Sequence, residues 1–382
     1  MKFAHLGDCH LGGWRQPELS DLNFQYFQEA IKRCIKNKLD FILISGDLFD
    51  SPYPSIETLK DSFAEFKKLK DAKIPVFLIA GSHDYSISGK TFLEVLESSG
   101  FCKNVSSYEE RENSIILTPT IHKNIAIYGY PGRKSGLEVD EIERIKLDDT
   151  PGLFKILMLH TTIRDAIGNL PVKAVDETKL PKVDYLALSH LHIIYKKDNR
   201  VYSGPIFPNN ISELEELQGG TFYIFDNGKI TREDIKLKDI ISIHLEINNS
   251  MNAIDETLEL LKTHILKDKI IIIRFSGILE KGSISDLDFT RIEAFLRTKK
   301  SYAFLKSTTK LHMPSQDVKI EKIDSGNLES HIIKQFQEKN PSVFNSLIPQ
   351  LIRSLAIEKN EDETNSVFEE RIMSETKRIV QI

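Results

Sequence analysis

Apolar residues in the first part of the chain fall into short, uninterrupted runs separated by amphipathic stretches. Residues 2–6, 40–45 and 74–80 are such runs, as expected of strands buried on both faces. Between them, Leu22, Tyr26, Ala30 and Ile31 recur at helical spacing within residues 21–38. Residues 55–70 are rich in helix formers and begin with Ser55, which is suited to cap a helix. Residues 90–98 form a shorter helix. This βαβαβ rhythm predicts a central, mainly parallel sheet.

From residue 114 the pattern turns to strands with few helices. Strands are expected at 115–117, 125–129, 154–159, 184–188, 193–196, 200–203 and 220–225, with a helix at 138–147. Asp226-Asn227-Gly228 marks a hairpin turn. So many strands are most simply used in two layers. The expected fold class is α/β: a two-layer β-sandwich flanked by helices, with a small α/β cap and C-terminal helices.

The cap follows residue 235. Strands at 240–247, 269–275 and 303–311 alternate with helices at 253–265 and 288–298. It contains none of the candidate ligands named below, so it is either a substrate-guiding cap or a purely structural module. Residues 314–327 are polar and resemble a linker. Residues 328–337 and 341–357 then read as helices with apolar faces, and a last helix carries Val367, Phe368, Ile372 and Ile379. Such trailing helices dock either on their own domain or on another protein. The expected domains are therefore 1–235, a cap at 236–313, a linker at 314–327 and a helical region at 328–382.

Composition narrows this little. The chain has 382 residues, enough for two or three domains, and a formal net charge of −5, which does not favour nucleic acid or anionic membranes but leaves room for a local basic groove. Cys9, Cys34 and Cys102 give an odd count without metal-type spacing, which argues against a disulfide framework and for an intracellular protein. The amino-terminal run is too short for a signal peptide and carries His5. No apolar run approaches the roughly 18 residues of a membrane helix. A soluble chain is expected.

Chemistry concentrates where strand-like runs end. Asp8-Cys9-His10, Gly46-Asp47-Leu48-Phe49-Asp50, Gly81-Ser82-His83-Asp84 and Ser189-His190-Leu191-His192 all occupy such positions, and His160 follows the run 154–159. Carboxylates and imidazoles recurring at strand ends suit a two-metal hydrolytic centre, because open α/β sheets bind ligands at that edge. Positions i and i+2 of an extended strand share a face, so Asp8 and His10 reach one ion, and His190 and His192 likewise share a face. Asp47 is the candidate bridge between two ions. Mixed nitrogen and oxygen donors suit manganese, zinc or iron rather than calcium. Any one of these motifs alone is weak; their co-occurrence carries the reading. His5, His122, His244, His264, His312 and His331 fall outside it. Trp14, in the loop after the first motif, is assigned to packing or substrate contact.

These motifs, in this order, resemble the calcineurin-like metallophosphoesterase superfamily over residues 1 to about 230. The cap and trailing helices resemble, in architecture, the SbcD-type (Mre-type) double-strand-break repair nucleases. The resemblance implies two Mn2+ per subunit. One would be held by Asp8, His10, Asp47 and His192, the other by Asp47, Ser82, His160 and His190. It makes His83 the catalytic histidine and Asp84 the residue that orients it. It implies a manganese-dependent 3′-to-5′ exonuclease on double-stranded DNA and endonuclease on single strands. The expected partners are DNA, an SbcC-type ABC ATPase whose coiled coil binds the trailing helices, and a second copy of the chain. The expected location is the cytoplasm of a prokaryote, at the nucleoid, with no membrane partner. Two departures stand out. Ser82 occupies the position of a ligating asparagine, which predicts a weaker second metal site. Tyr202-Ser203-Gly204-Pro205 only loosely follows the family's Tyr-Pro-Gly-Ser, and the basic residue expected soon after is missing. A small-molecule phosphodiesterase or phosphatase with the same centre, and a weakly active DNA-end-bridging scaffold, are the alternatives.

Overall fold

In the computed structural model the first apolar run, Lys2–Leu6 (β1), is buried between neighbours on both sides. The structure describes residues 1–313 except 87–88, 134–137 and 169, together with 334, 337, 342, 345–357 and 365–380. Helix Pro17–Lys36 (α1) follows, starting earlier than its apolar repeat suggests because Pro17 sits in its first turn, where a missing N–H costs nothing. Strand Phe41–Ile44 (β2), helix Ile56–Asp71 (α2), strand Val76–Leu78 (β3), helix Leu93–Ser98 (α3) and strand Lys103–Asn104 (β4) complete the first half. Ser55 caps α2 as expected, accepting a hydrogen bond from Thr58 N at 3.1 Å. Strands β1 to β4 run parallel in sequence order.

The second half is strand-rich. Tyr108–Arg111 (β5), Ser114–Leu117 (β6), Thr120–His122 (β7), Ile125–Tyr130 (β8), helix Glu138–Ile142 (α4), Ile145–Leu147 (β9) and Phe154–His160 (β10) lead to helix Arg164–Ile167 (α5). Tyr185–Ser189 (β11), Ile194–Lys197 (β12), Arg200–Ser203 (β13), helix Ile211–Leu217 (α6), Gly220–Asp226 (β14) and Lys229–Ile235 (β15) follow. The helix expected over 138–147 ends at Ile142. Ile145–Leu147 pairs parallel with β6 instead, and Ile145 is buried with Ile115, Leu117 and Ile142. Tertiary pairing outweighs local propensity there. Asn227 and Gly228, at φ +47° and +92°, form the two-residue turn between β14 and β15.

Two six-stranded sheets result, in the orders β15-β14-β1-β2-β3-β4 and β12-β13-β11-β10-β8-β7, beside a small sheet β5-β6-β9. The period of two sorts their side chains. Phe3, Phe41, Leu43, Ile156, Met158, Tyr185 and Ala187 fill the space between the sheets. Phe3 stacks on its register partners Phe41 and Phe225 with centroids 4.8 Å away, and meets Tyr185 of the other sheet edge-on at 5.1 Å. Ala4, Leu6, Ile42 and Ile44 point the other way, onto Leu22, Phe27 and Phe66 of α1 and α2. This is the helix-flanked two-layer sandwich that the hydrophobic pattern predicts.

Strand Ile240–Glu246 (β16), helix Ser250–Lys262 (α7), strand Ile270–Ile278 (β17), helix Phe289–Thr298 (α8) and strand Ala303–His312 (β18) form a parallel three-stranded βαβαβ unit. It belongs to the same compact body as the sandwich, residues 1–312. Ile270, Ile272, Ala303 and Leu305 join the core beneath α1, and Tyr302 donates to the Glu18 carbonyl at 2.9 Å. Residues 313–382 form a second unit. Helices Ile348–Leu355 (α9) and Asn365–Val380 (α10) pack on each other there. The expected linker 314–327 and most of the helix expected at 328–337 lie outside the described residues. Among the described residues no helix is long and apolar enough to cross a membrane.

Candidate metal centre

The carboxyl ends of β1, β2 and β3 in one sheet, and of β10 and β11 in the other, deliver the chemistry-bearing residues to one edge of the sandwich. Backbone pairing continues past the strands: Asp8 N donates to Gly46 O at 3.1 Å and His10 N to Asp47 O at 3.0 Å. The chain there is not extended. Asp8, His10, Asp47 and His192 have φ of +48°, +44°, +49° and +53°, and His190 has +104°. The same-face argument for Asp8 and His10 therefore fails in its premise, although both residues reach the site. Left-handed backbone costs about 1–2 kcal/mol per ordinary residue and concentrates at functional sites.

Four imidazoles meet in two pairs. His10 Nε2 lies 2.9 Å from His192 Nε2, and His160 Nε2 lies 3.2 Å from His190 Nδ1. Asp47 sits between the pairs, its Oδ2 3.2 Å from His160 Nε2 and 3.7 Å from His10 Nε2. Its Oδ1 accepts His83 N at 2.8 Å. A single oxygen of Asp47, rather than one oxygen per side, thus faces both pairs. Asp8 accepts His190 N at 3.0 Å through each oxygen, and Ser82 Oγ donates to Asp47 Oδ2 at 3.5 Å. Asp8, His10 and His192 converge closely enough to hold one cation, as do Asp8, Asp47 and His160. Gly81 is required sterically: a Cβ there would come within 2.2 Å of Asp47 Oδ1.

The far nitrogens of three imidazoles are occupied. His10 Nδ1 faces Asp50 Oδ1 at 3.1 Å, His192 Nδ1 faces Glu213 Oε1 at 3.0 Å, and His160 Nδ1 faces Ser189 Oγ at 2.9 Å. A hydrogen bond on Nδ1 leaves the Nε2 lone pair directed into the site, as metal-bound histidines require. Nitrogen and carboxylate donors in this arrangement fit divalent transition ions.

Electrostatics agree. Burial opposes charge on His160 and His192, but nearby carboxylates outweigh it: Asp47 and Asp8 for the first, Asp8 and Glu213 for the second. Both are pushed up to about 9. Burial and the charge on His160 push His190 down to about 4. Burial also disfavours the Asp47 carboxylate, yet His160 and His10 hold it well below the usual carboxylate range.

His83 is nearly half exposed and lies edge-on to His10, with ring centroids 4.8 Å apart. Its Nδ1 lies 2.8 Å from the Asp50 carbonyl and 3.9 Å from the Asp50 carboxylate. Asp84 does not hold this ring. Its buried carboxylate accepts backbone N–H groups of Gly81, Leu48 and Phe49 at 2.9–3.3 Å, so it fixes the loops after β2 and β3 against each other.

A family model for calcineurin-like phosphoesterases matches residues 1–194. The chain belongs to the calcineurin-like phosphoesterase family. It is also similar to curated relatives. It is 28% identical to the DNA double-strand break repair protein Mre11 of Methanocaldococcus jannaschii, over 68% of this chain and 73% of the relative. The Mre11 protein of Methanococcus maripaludis is 29% identical over the same shares. A metallophosphoesterase of Bacillus subtilis, YhaO, is 26% identical over 63% of this chain and 61% of its own.

Within this phosphoesterase, sequence reasoning missed the residues behind the histidines. Asp50 stood in a recognised motif without a role. Glu213 lies on α6, a helix the strand-rich pattern hid, although Asn210 followed three residues later by Glu213 is a helix-start signal. Asn209 links the two: its side chain donates to Asp50 Oδ1 at 3.2 Å and its N–H to Glu213 Oε2 at 2.7 Å.

Proposed function

We propose that this protein is a manganese-dependent, two-metal DNA nuclease that processes double-strand breaks. In this reading it acts as an exonuclease on duplex ends and an endonuclease on single strands. It works as a homodimer with an SbcC-type ABC ATPase bound by its carboxyl-terminal helices, in the cytoplasm of a prokaryote. The observation that carries the reading is Asp47 Oδ2 placed between two histidine pairs, the arrangement a carboxylate bridging two cations needs. The relatives named as double-strand break repair proteins supply the substrate class.

Asp8, His10, Asp47 and His192 would hold one ion, and Asp47, His160 and His190 the other, with Ser82 beside them. Ions held there would supply Lewis acidity toward phosphodiester oxygens and would lower the pKa of a water bound to them. The chain's own residues do the rest. Asp50, Glu213 and Ser189 keep the imidazole lone pairs aimed inward. Asp84 keeps the β2 and β3 loops in register. His83, exposed beside His10, is placed to give a proton to the departing sugar oxygen, with Asp50 steadying its ring. Phosphate contacts dominate DNA affinity. An acidic chain should therefore bind DNA weakly alone and more tightly beside its ATPase.

The test is degradation of an end-labelled DNA duplex by the purified chain with Mn2+, with His10→Ala as the inactive control. Metal-dependent cleavage that His10→Ala abolishes is the expected result. Hydrolysis of small phosphodiesters without DNA cleavage would move the protein to a small-substrate enzyme. DNA binding without any hydrolysis would make it a scaffold.

A further inference from the structure

The short helix α6 touches the metal centre on one side and the small α/β unit on the other. Glu213 and Glu215 are two residues apart, about 200° around a helix, and so lie on nearly opposite faces. Glu213 holds His192 Nδ1 at 3.0 Å and, through Asn209, reaches Asp50 and hence His10. Glu215 faces β16 and β17. Its Oε2 lies 2.8 Å from Arg274 Nε and its Oε1 3.0 Å from His244 Nε2, while Ser242 Oγ also donates to Oε1. Arg274 further donates to Ser212 Oγ at 3.0 Å, gripping the first turn of the same helix. Arg274 stands where the register of β17 against β18 shifts. Arg274 and Glu215 are only 17% and 19% exposed, so solvent screens this pair weakly.

We propose that Arg274 and Glu215 are positioning residues that clamp α6 and thereby set the geometry of the Asp8–His10–His192 cation site from the small α/β unit. A displacement of that unit, such as a polyanionic substrate leaning on it would produce, then changes cation affinity at this site and leaves the His160–His190 side untouched. The inference rests on the two-metal reading above.

The test is titration of the metal-free full chain with Mn2+, following free Mn2+ by electron paramagnetic resonance, with thermal melts in parallel. Losing a direct hydrogen-bonding partner of a metal ligand typically costs 10- to 100-fold in affinity, so Glu213→Gln should fall in that range and Arg274→Ala, one step further out, should cost about threefold to tenfold, both at one site only. Arg274→Lys keeps the charge and the strand packing but cannot span Glu215 and Ser212, and should weaken the same site. If Arg274→Ala and Arg274→Lys bind Mn2+ as the unaltered chain does while Glu213→Gln weakens one site, the clamp is refuted and the two-metal reading stands. Equal weakening of both sites with a lowered Tm would reduce Arg274 to a structural role and refute it too. If the unaltered chain binds no Mn2+, the two-metal reading falls and takes this inference with it.

Discussion

His10 and His192 are 182 positions apart in the chain, yet their Nε2 atoms lie 2.9 Å from each other. Each ring is fixed from behind by a carboxylate, Asp50 for His10 and Glu213 for His192. Two lone pairs pressed together in this way need a proton or a cation between them. That requirement makes metal loading and protonation competitors.

The competition has a definite sign. In the metal-free protein His160 and His192 are pushed from 6.5 up to about 9, so their charged forms stabilise the fold fully below pH 6.5. That contribution is lost as pH rises from 6.5 to 9. Mn2+ must displace the same protons, so its affinity should rise across the same window. Melting curves at pH 6.5 and 9 should show the metal-free Tm falling while the Tm increment from excess Mn2+ grows. His190, pushed down to about 4, contributes the opposite way and only below pH 6.5. An affinity independent of pH would contradict these ligand assignments.

Replacing His83 by alanine should slow phosphodiester cleavage by ~10²–10⁴ and leave metal content unchanged, because the half-exposed ring lies edge-on to His10 and outside the two close histidine pairs. Asp50→Asn should both slow cleavage and lower metal content, since the Asp50 carboxylate faces His83 and the candidate ligand His10. Single-turnover rates with metal analysis on the same samples would check this. Loss of metal from His83→Ala would remove the role assigned to it.

Gly81→Ala should be far more damaging than its one added methyl group suggests. The new Cβ would meet Asp47 Oδ1, which accepts His83 N at 2.8 Å, at 2.2 Å and the backbone Asp47 N at 2.3 Å, neither of which can yield cheaply. Overpacking of this kind costs about 1–3 kcal/mol. Because the atoms displaced belong to the candidate bridge, Mn2+ affinity should drop at both sites. Calorimetric melting with a metal titration distinguishes this from a purely steric loss, in which stability alone would fall.

Buried parallel strands announce themselves as unbroken apolar runs, so β1, β2, β10 and β11 were readable, and with them the edge at which Asp8, Asp47, His160 and His190 gather. Ser55 and Asn227-Gly228 were readable because caps and turns are local chemistry. Residues 145–147 were not, because their partner β6 lies about thirty positions away and decides their conformation. The left-handed backbone at Asp8 and His10 was hidden for the same reason: the neighbouring loop imposes it. Asp84 was misread because three backbone N–H groups, invisible as letters, claim its oxygens.

Ser82 gives the last prediction. Its hydroxyl reaches no closer than 3.5 Å to Asp47 Oδ2, a weak contact whose loss should cost little, so Ser82→Ala should change Mn2+ affinity less than about threefold. Ser82→Asn places an amide carbonyl, longer and more dipolar, beside the His160–His190 pair. One added contact to a cation of roughly 1.4 kcal/mol is worth about tenfold in affinity. The variant should therefore tighten the weaker of the two Mn2+ sites and raise cleavage at limiting metal, with little effect at saturation. Titrating activity against Mn2+ for the three proteins decides it. If the asparagine variant gains nothing at low metal, position 82 does not face the second ion, and the three remaining side chains, Asp47, His160 and His190, must hold it without help.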